Sequence, residues 1–220
     1  MVMEKTDNQK EMVRSTTRLL WVVVAVMAVV SVLRPFVGSN LSRQEKALLA
    51  PDDSVMRVLV VSSPEDSLVL RTPSRDLSRG TLKSADFRRL SQKLLATVRD
   101  SSQSGVGIAA PQVGINRRVV AVQRFDKDGE PFEVYPNVRI DEYSGEVVRG
   151  REGCLSIPPY RGIVPRNSSI TVSYTDVSTM KRVSEKVDGF TAVIFQHECD
   201  HLDGILYTDR ADSVFVDPSY

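Results

Sequence analysis

The sequence predicts an α+β fold, on three observations. Apolar residues recur at helical spacing at Phe87, Leu90, Leu94 and Val98. Ile170 to Tyr174 alternates Ile, Val and Tyr against Thr and Ser, the period of a half-buried strand. Both histidines of the 220-residue chain, His197 and His201, lie one helical turn apart near the C-terminus. No long series of βαβ units is present, which argues against a doubly wound parallel sheet.

Taken in order, the chain opens on a segment, residues 1–37, that contains an apolar run from Leu19 to Leu33. Fifteen residues carry no charge there, and a hydrophobic helix over 19–33 is expected. A bilayer span wants about 20 apolar residues with a lower edge near 17. A leader core is typically about 7 to 15 residues long. The run therefore suits a membrane anchor or a leader. A third reading is neither, which includes the case that translation starts at Met56. Basic residues flank both sides, so the positive-inside rule assigns no orientation. Residues 38–55 read as a polar tether, and 56–220 as the main domain.

In that domain Val58 to Val61 reads as a strand. Pro64 and Pro73 flank a loop-like stretch. The apolar stripe marks a helix from about Ser84 to Asp100, and Ser101 to Gly105 is a turn-rich break. Val119 to Val122 reads as a short buried strand, followed by a hairpin around Asp126 to Gly129 and an extended region from Phe132 to Ile140. After Ile170 to Tyr174, Asp176 to Thr179 turns the chain back into Lys181 to Val187. A last helix spans about Phe190 to Leu202 and ends at Asp203-Gly204.

Composition is ordinary, with 41% hydrophobic and 26% charged residues and a formal net charge of +1. That balance argues against a broad nucleic-acid-binding surface. The two cysteines, Cys154 and Cys199, are too few for a disulfide-stapled scaffold.

The chemistry is concentrated in His197-Glu198-Cys199-Asp200-His201. Imidazoles at i and i+4 share a helix face and can grip one metal ion, and Glu198 between them can work on a water beside it. Catalytic ions usually have three protein ligands and one open position. No histidine or glutamate follows this pattern. Asp203, Asp209, Asp212 and Asp217 have no distinctive setting. Cys154 does, between Gly153, which permits close backbone approach, and Pro158, which stiffens the exit. A Cys-His-His set favours iron or zinc over magnesium or calcium. Cys199 points away from the paired face and reads as a small core residue. Phe190, Val193 and Ile194 lie near the same side of the helix and are candidates for an apolar substrate pocket. Asp200 reads as a group that orients a ligand or fixes the helix, and Glu152 as the partner of an arginine the sequence does not single out. Asn167-Ser168-Ser169 is a chance sequon.

Three segments carry a resemblance. Gly105-Val106-Gly107-Ile108-Ala109-Ala110-Pro111-Gln112, Glu152-Gly153-Cys154-Leu155-Ser156 and Gln196-His197-Glu198-Cys199-Asp200-His201 fit GxGxAAxQ, EGCxS and QHExDH, in order. The chain resembles the peptide deformylases over roughly residues 57 to 210. The resemblance implies mixed and antiparallel sheets around the HExxH helix. It implies removal of the formyl group from the amino-terminal formyl-methionine of new polypeptides, with release of formate. It implies one divalent ion, Fe²⁺ first, with Zn²⁺, Ni²⁺ or Co²⁺ as substitutes. Carried over, Cys154, His197 and His201 hold the ion, Glu198 is general acid and base, and Gln112 and the Leu155 backbone N–H bind the formyl oxygen. Val106 and Gly107 contact the substrate backbone, and Arg161 lies along the peptide cleft. The expected partners are formyl-methionyl nascent chains, at the ribosome surface, for a monomer in the cytoplasm or an organelle matrix, tethered to a membrane if 19–33 is an anchor. A metalloamidase or metallopeptidase of different specificity is the alternative. The N-terminal extension departs from the usual catalytic core, and the tail after Gly204 is short, without a clear helix.

Overall fold

The computed structural model describes residues 40–50, 52–100 and 105–218. The apolar run 19–33, expected as a helix, lies outside them, as do residues 101–104 of the expected turn. Among the described residues no helix is long and apolar enough to cross a membrane.

The stretch expected to be a polar tether holds a helix, α1 (Arg43–Leu49), started by a capping box between Ser42 and Glu45. Leu41 and Leu49 enter the same core as Leu90 and Leu94. The four polar residues Arg43 to Lys46 hide this from a composition reading, because only one face of the turn is apolar. Glu45 accepts from Arg117 Nε and Nη2, both at 2.7 Å. Arg117 Nη2 also donates to the Asn40 carbonyl at 2.9 Å. Both charged side chains are nearly buried, so removing one strands the other. Glu45→Ala is expected to destabilise the fold by about 3 kcal/mol in urea unfolding. A change within about 0.5 kcal/mol would place α1 outside the cooperative unit.

Residues 58–61 form no strand, against expectation. They run as a strap whose amides bond other segments singly: Leu59 N–H to the Gln112 carbonyl at 2.8 Å, and Val61 N–H to the Ser156 carbonyl at 2.9 Å. The stretch after Pro64, expected to be a loop, is helix α2 (Pro64–Leu70). Proline is suited to a first helical turn, and Ser63 caps it. The short α3 (Arg79–Leu82) leads into α4 (Ala85–Arg99), where Ser84 is the cap and Phe87, Leu90, Leu94 and Val98 are buried, as their spacing predicts.

Two antiparallel sheets follow. The first has the order β1 (Gly107–Ala109), β2 (Val119–Gln123), β3 (Phe132–Pro136). The extended region 132–140 is broken at Asn137, whose φ of 56° ends β3. The second sheet is built on β5 (Tyr160–Thr175), with β4 (Arg139–Gly153) along one edge. On its other edge β6 (Arg182–Asp188) pairs with residues 169–175, and β7 (Ser213–Val216) with residues 160–163. The length of β4 and the existence of β7 escape a periodicity reading, because β4 is largely exposed and charged and β7 is an edge strand.

The last helix, α5 (Gly189–Leu202), packs against β5, β1 and β2. Ala192, Ile194, Phe195, Cys199 and Leu202 meet Val120, Val122, Ile170 and Val172 in one core. Cys199 is there as a small buried residue, with a free thiol. This packing fixes the rotation of α5 and turns His197 and Glu198 toward β1 and the end of β4.

Candidate active site

Three chain segments meet where α5 passes β1 and the β4–β5 connection. They line a cavity of about 310 Å³, whose walls include Val106, Gly107, Gln112, Cys154, Leu155, His197 and Glu198. The structure therefore brings the three sequence segments to one place.

The donor atoms of Cys154, His197 and His201 lie within 4.8 Å of one another. Cys154 Sγ is 3.2 Å from His201 Nε2. His197 Nδ1 donates to Glu152 Oε2 at 2.8 Å, which leaves Nε2 to face the cluster. Burial alone would raise the Cys154 thiol, but the His201 and His197 imidazoles pull it down to about 5. A low thiol favours the thiolate, the form that ligates. His197 is held well above its ordinary value against its burial, by Cys154 and Glu152. One soft sulfur and two imidazoles within this span fit a four-coordinate transition ion with one position open.

Glu152 is the second link. Arg166 Nε and Nη2 donate to its two oxygens at 2.8 and 3.0 Å, so Arg166 is the arginine the sequence does not single out. Burial opposes charge on Glu152, yet Arg166 and His197 bring it down to about 2. Among the described residues the Asp200 carboxylate makes no hydrogen bond to His197 or His201. It accepts from Arg166 Nη1 at 2.6 Å and from Arg210 Nε and Nη2 at 2.7 and 2.8 Å. Of the two readings left open for Asp200, the structure matches the one in which it fixes the helix, by tying α5 to β5. Arg166 has a signal in hindsight. Tyr160, Gly162, Val164 and Arg166 share one strand face, and an arginine on an inward face needs a buried carboxylate. Tyr207, whose ring stacks on His197 at 6.1 Å, has no such signal.

Glu198 is 4% exposed, and its Oε2 has no partner among the described residues. Burial raises it to about 7, against the pull of His197 and His201. Gly107 faces it so closely that a Cβ there would come within 2.5 Å of Glu198 Oε1 and 2.8 Å of Ile194 Cγ2. Gly107→Ala is thus expected to keep the fold and displace the carboxylate, lowering kcat/KM about 100-fold. Near-wild-type turnover in a folded variant would remove this steric argument.

Gln112 is held at both ends of its amide. Its Oε1 accepts from Ala109 N–H at 2.8 Å, and its Nε2 donates toward Ser156 Oγ at 3.3 Å and Cys154 Sγ at 3.6 Å. The strap 58–61 bonds the Gln112 and Ser156 carbonyls and so ties the two donor segments together. Leu155 lines the cavity, and its backbone N–H has no acceptor among the described residues. Phe190, Val193 and Ile194 all reach the cavity wall. They differ in setting: Ile194 is buried, whereas Phe190 is 55% exposed and rests on Phe125 at 5.2 Å. Arg161 also lines the cavity, beside Arg151 and Tyr160.

The geometry can be set beside known proteins. Residues 55–215 match the family model for polypeptide deformylase. A peptide deformylase of Leptospira biflexa is 34% identical over 167 residues, spanning 73% of this chain and 89% of that protein. One from Desulforudis audaxviator is 40% identical over 147 residues, spanning 67% and 90%. Among solved structures, a Met-Ala-Ser bound class I type b peptide deformylase from Acinetobacter baumannii has a TM-score of 0.62 and 36% identity, over 71% of this chain and 98% of that one. The match spans both sheets and α5, and with them every segment that lines the cavity, so the chain belongs to the polypeptide deformylase family.

Proposed function

We propose the following division of labour for the deformylation that this chain carries out. Cys154, His197 and His201 hold one divalent ion, and Fe²⁺ is the resident one, with Zn²⁺, Ni²⁺ and Co²⁺ as substitutes that the same thiolate and imidazoles accept. When bound, the ion supplies Lewis acidity and makes a neighbouring water a stronger acid near neutral pH. The chain's own groups do the rest. Glu198 takes the proton of the attacking water on its unpartnered Oε2, and it later delivers that proton to the departing amine nitrogen. The water oxygen bonds to the formyl carbon, the C–N bond breaks, and formate and a free amino terminus leave.

As the water attacks, negative charge grows on the formyl oxygen. The Leu155 backbone N–H receives it together with a Gln112 amide N–H that gives up its long contact with Cys154 Sγ; both residues line the cavity. Loss of one such donor typically costs about 3 kcal/mol of transition-state stabilisation. Gln112 is preorganised for this by its bond from Ala109. Phe190, Val193 and Ile194 receive the methionine side chain, and Val106 and Gly107 run beside the peptide backbone. Glu152 and Arg166 hold His197 in one ring orientation. Nascent chains that begin with formyl-methionine are the substrates.

The observation that carries this reading is the cluster of a thiol and two imidazoles at the wall of a cavity lined by Cys154, His197 and Glu198, whose buried Oε2 has no partner among the described residues. The test is an anaerobic assay of the full chain with Fe²⁺, comparing formyl-Met-Ala-Ser with acetyl-Met-Ala-Ser. Formate release from the first, without acetate release from the second, is expected. A folded, metal-loaded protein that cleaves neither, or an internal peptide bond instead, would contradict it.

A further inference from the structure

The tail after α5 returns to the cleft. β7 pairs Val216 with Tyr160 and Phe215 with Arg161, two β5 residues that line the cavity. Beyond it, the Asp217 backbone N–H donates to the Pro159 carbonyl at 2.8 Å. The Asp217 side chain is 8% exposed, and its carboxylate accepts a hydrogen bond from Arg161 Nε. Arg161 Nη1 and Nη2 bond no acceptor among the described residues. Its guanidinium lies over Gly153, where a Cβ would come within 2.9 Å of Nη1. Arg151 stacks on the Phe215 ring at 5.2 Å, so the same short strand seats a second arginine of the lining.

The walls of the cleft divide by chemistry. The inner end is Cys154, His197, Glu198 and Gln112, and the apolar wall is Phe190, Val193 and Ile194. Beyond the Val106–Gly107 segment that runs beside the peptide backbone, Arg151, Tyr160 and Arg161 give the lining a polar rim that can meet the residues after methionine. We propose that Asp217 is a positioning residue for the peptide. It holds Arg161 by Nε across the mouth of the cleft, with both η nitrogens free to donate to peptide carbonyls beyond the methionine. This rests on the deformylase reading above. A long flexible side chain left unheld pays rotamer entropy each time it binds, and a fixed one does not.

The test uses the full, metal-loaded chain and two substrates, formyl-Met and formyl-Met-Ala-Ser. Asp217→Asn is expected to raise KM for the tripeptide about fivefold, with kcat held within about twofold and the ratio of the two substrates' kcat/KM reduced to match. Asp217→Glu should restore most of the difference. Asp217→Asn combined with Arg161→Ala should be no worse than Arg161→Ala alone, since one acts through the other. A merely structural Asp217 would lower turnover of both substrates alike, and that result, or an unchanged tripeptide KM in a folded variant, overturns the proposal. If Asp217→Asn does not fold, Arg161→Ala alone decides: an unchanged tripeptide KM there also overturns it. Absence of formate release by the wild type from either substrate would instead sink the deformylase reading, and the proposal with it.

Discussion

Glu198→Ala should bind its ion as the wild type does and lose about 10³-fold or more in kcat, the range expected when a positioned acid–base group is removed. The expectation comes from geometry. Glu198 Oε2 is buried, has no partner among the described residues, and lies beside the cluster formed by Cys154, His197 and His201. Burial also holds its carboxyl near neutral, at about 7, which suits a group that must both take and return a proton. Steady-state kinetics on formyl-Met-Ala-Ser, paired with elemental analysis of the purified variant, separates the two effects. Full turnover would strip Glu198 of its role. Loss of the ion along with turnover would make it a structural support of the centre instead.

Cys154→Ala addresses the ion itself. Removing one of three protein ligands should weaken binding by at least about 100-fold, more than the loss of an outer partner of a ligand. The variant should emerge from purification with little metal, and chelator competition should strip what remains well before the wild type. The fold should survive, because Cys154 borders a small core of Ile157, Val164, Leu206 and Tyr207 and an alanine there keeps most of the contact. Unchanged occupancy would refute the assignment. The carboxylates of Asp203, Asp209 and Asp217 are no substitutes, since each is engaged by an arginine elsewhere, Arg118, Arg71 and Arg161 respectively.

The two predictions draw on features of unequal visibility in the sequence. The pairing of His197 and His201 is legible, because two scarce residues at helical spacing must share a face. Cys154 is legible only as the cysteine with a distinctive glycine and proline setting; that β4 ends beside α5 is a fact of packing. The arginine facing Glu152 lies fourteen positions later on β5, and the β4–β5 register sets Glu152 opposite Gly162 and Arg166 opposite Val148, so the two side chains meet by reach and packing and not as register partners. Partnerships of this kind leave no local trace of which residue pairs with which. The strap 58–61 misleads for a related reason: its short apolar run, Val58 to Val61, looks like a strand, but its amides serve two different segments, Gln112 and Ser156, in place of one ladder. In α1, the polar run masks a helix whose buried side is Glu45 and Leu49, backed by Leu41 just before its cap, and whose charge is met by Arg117, far along the chain. Asp217 is one of several unremarkable aspartates in the sequence, and β7 alone brings it back to Arg161.

The central claim is that one sulfur and two imidazoles take a single ion next to Glu198. X-ray absorption at the metal edge of the zinc-loaded chain tests it most directly. The account predicts one sulfur at about 2.3 Å and two imidazole nitrogens at about 2.0–2.1 Å, with the sulfur contribution lost in any metal that Cys154→Ala retains. A first shell of nitrogen and oxygen alone in the wild type would contradict it.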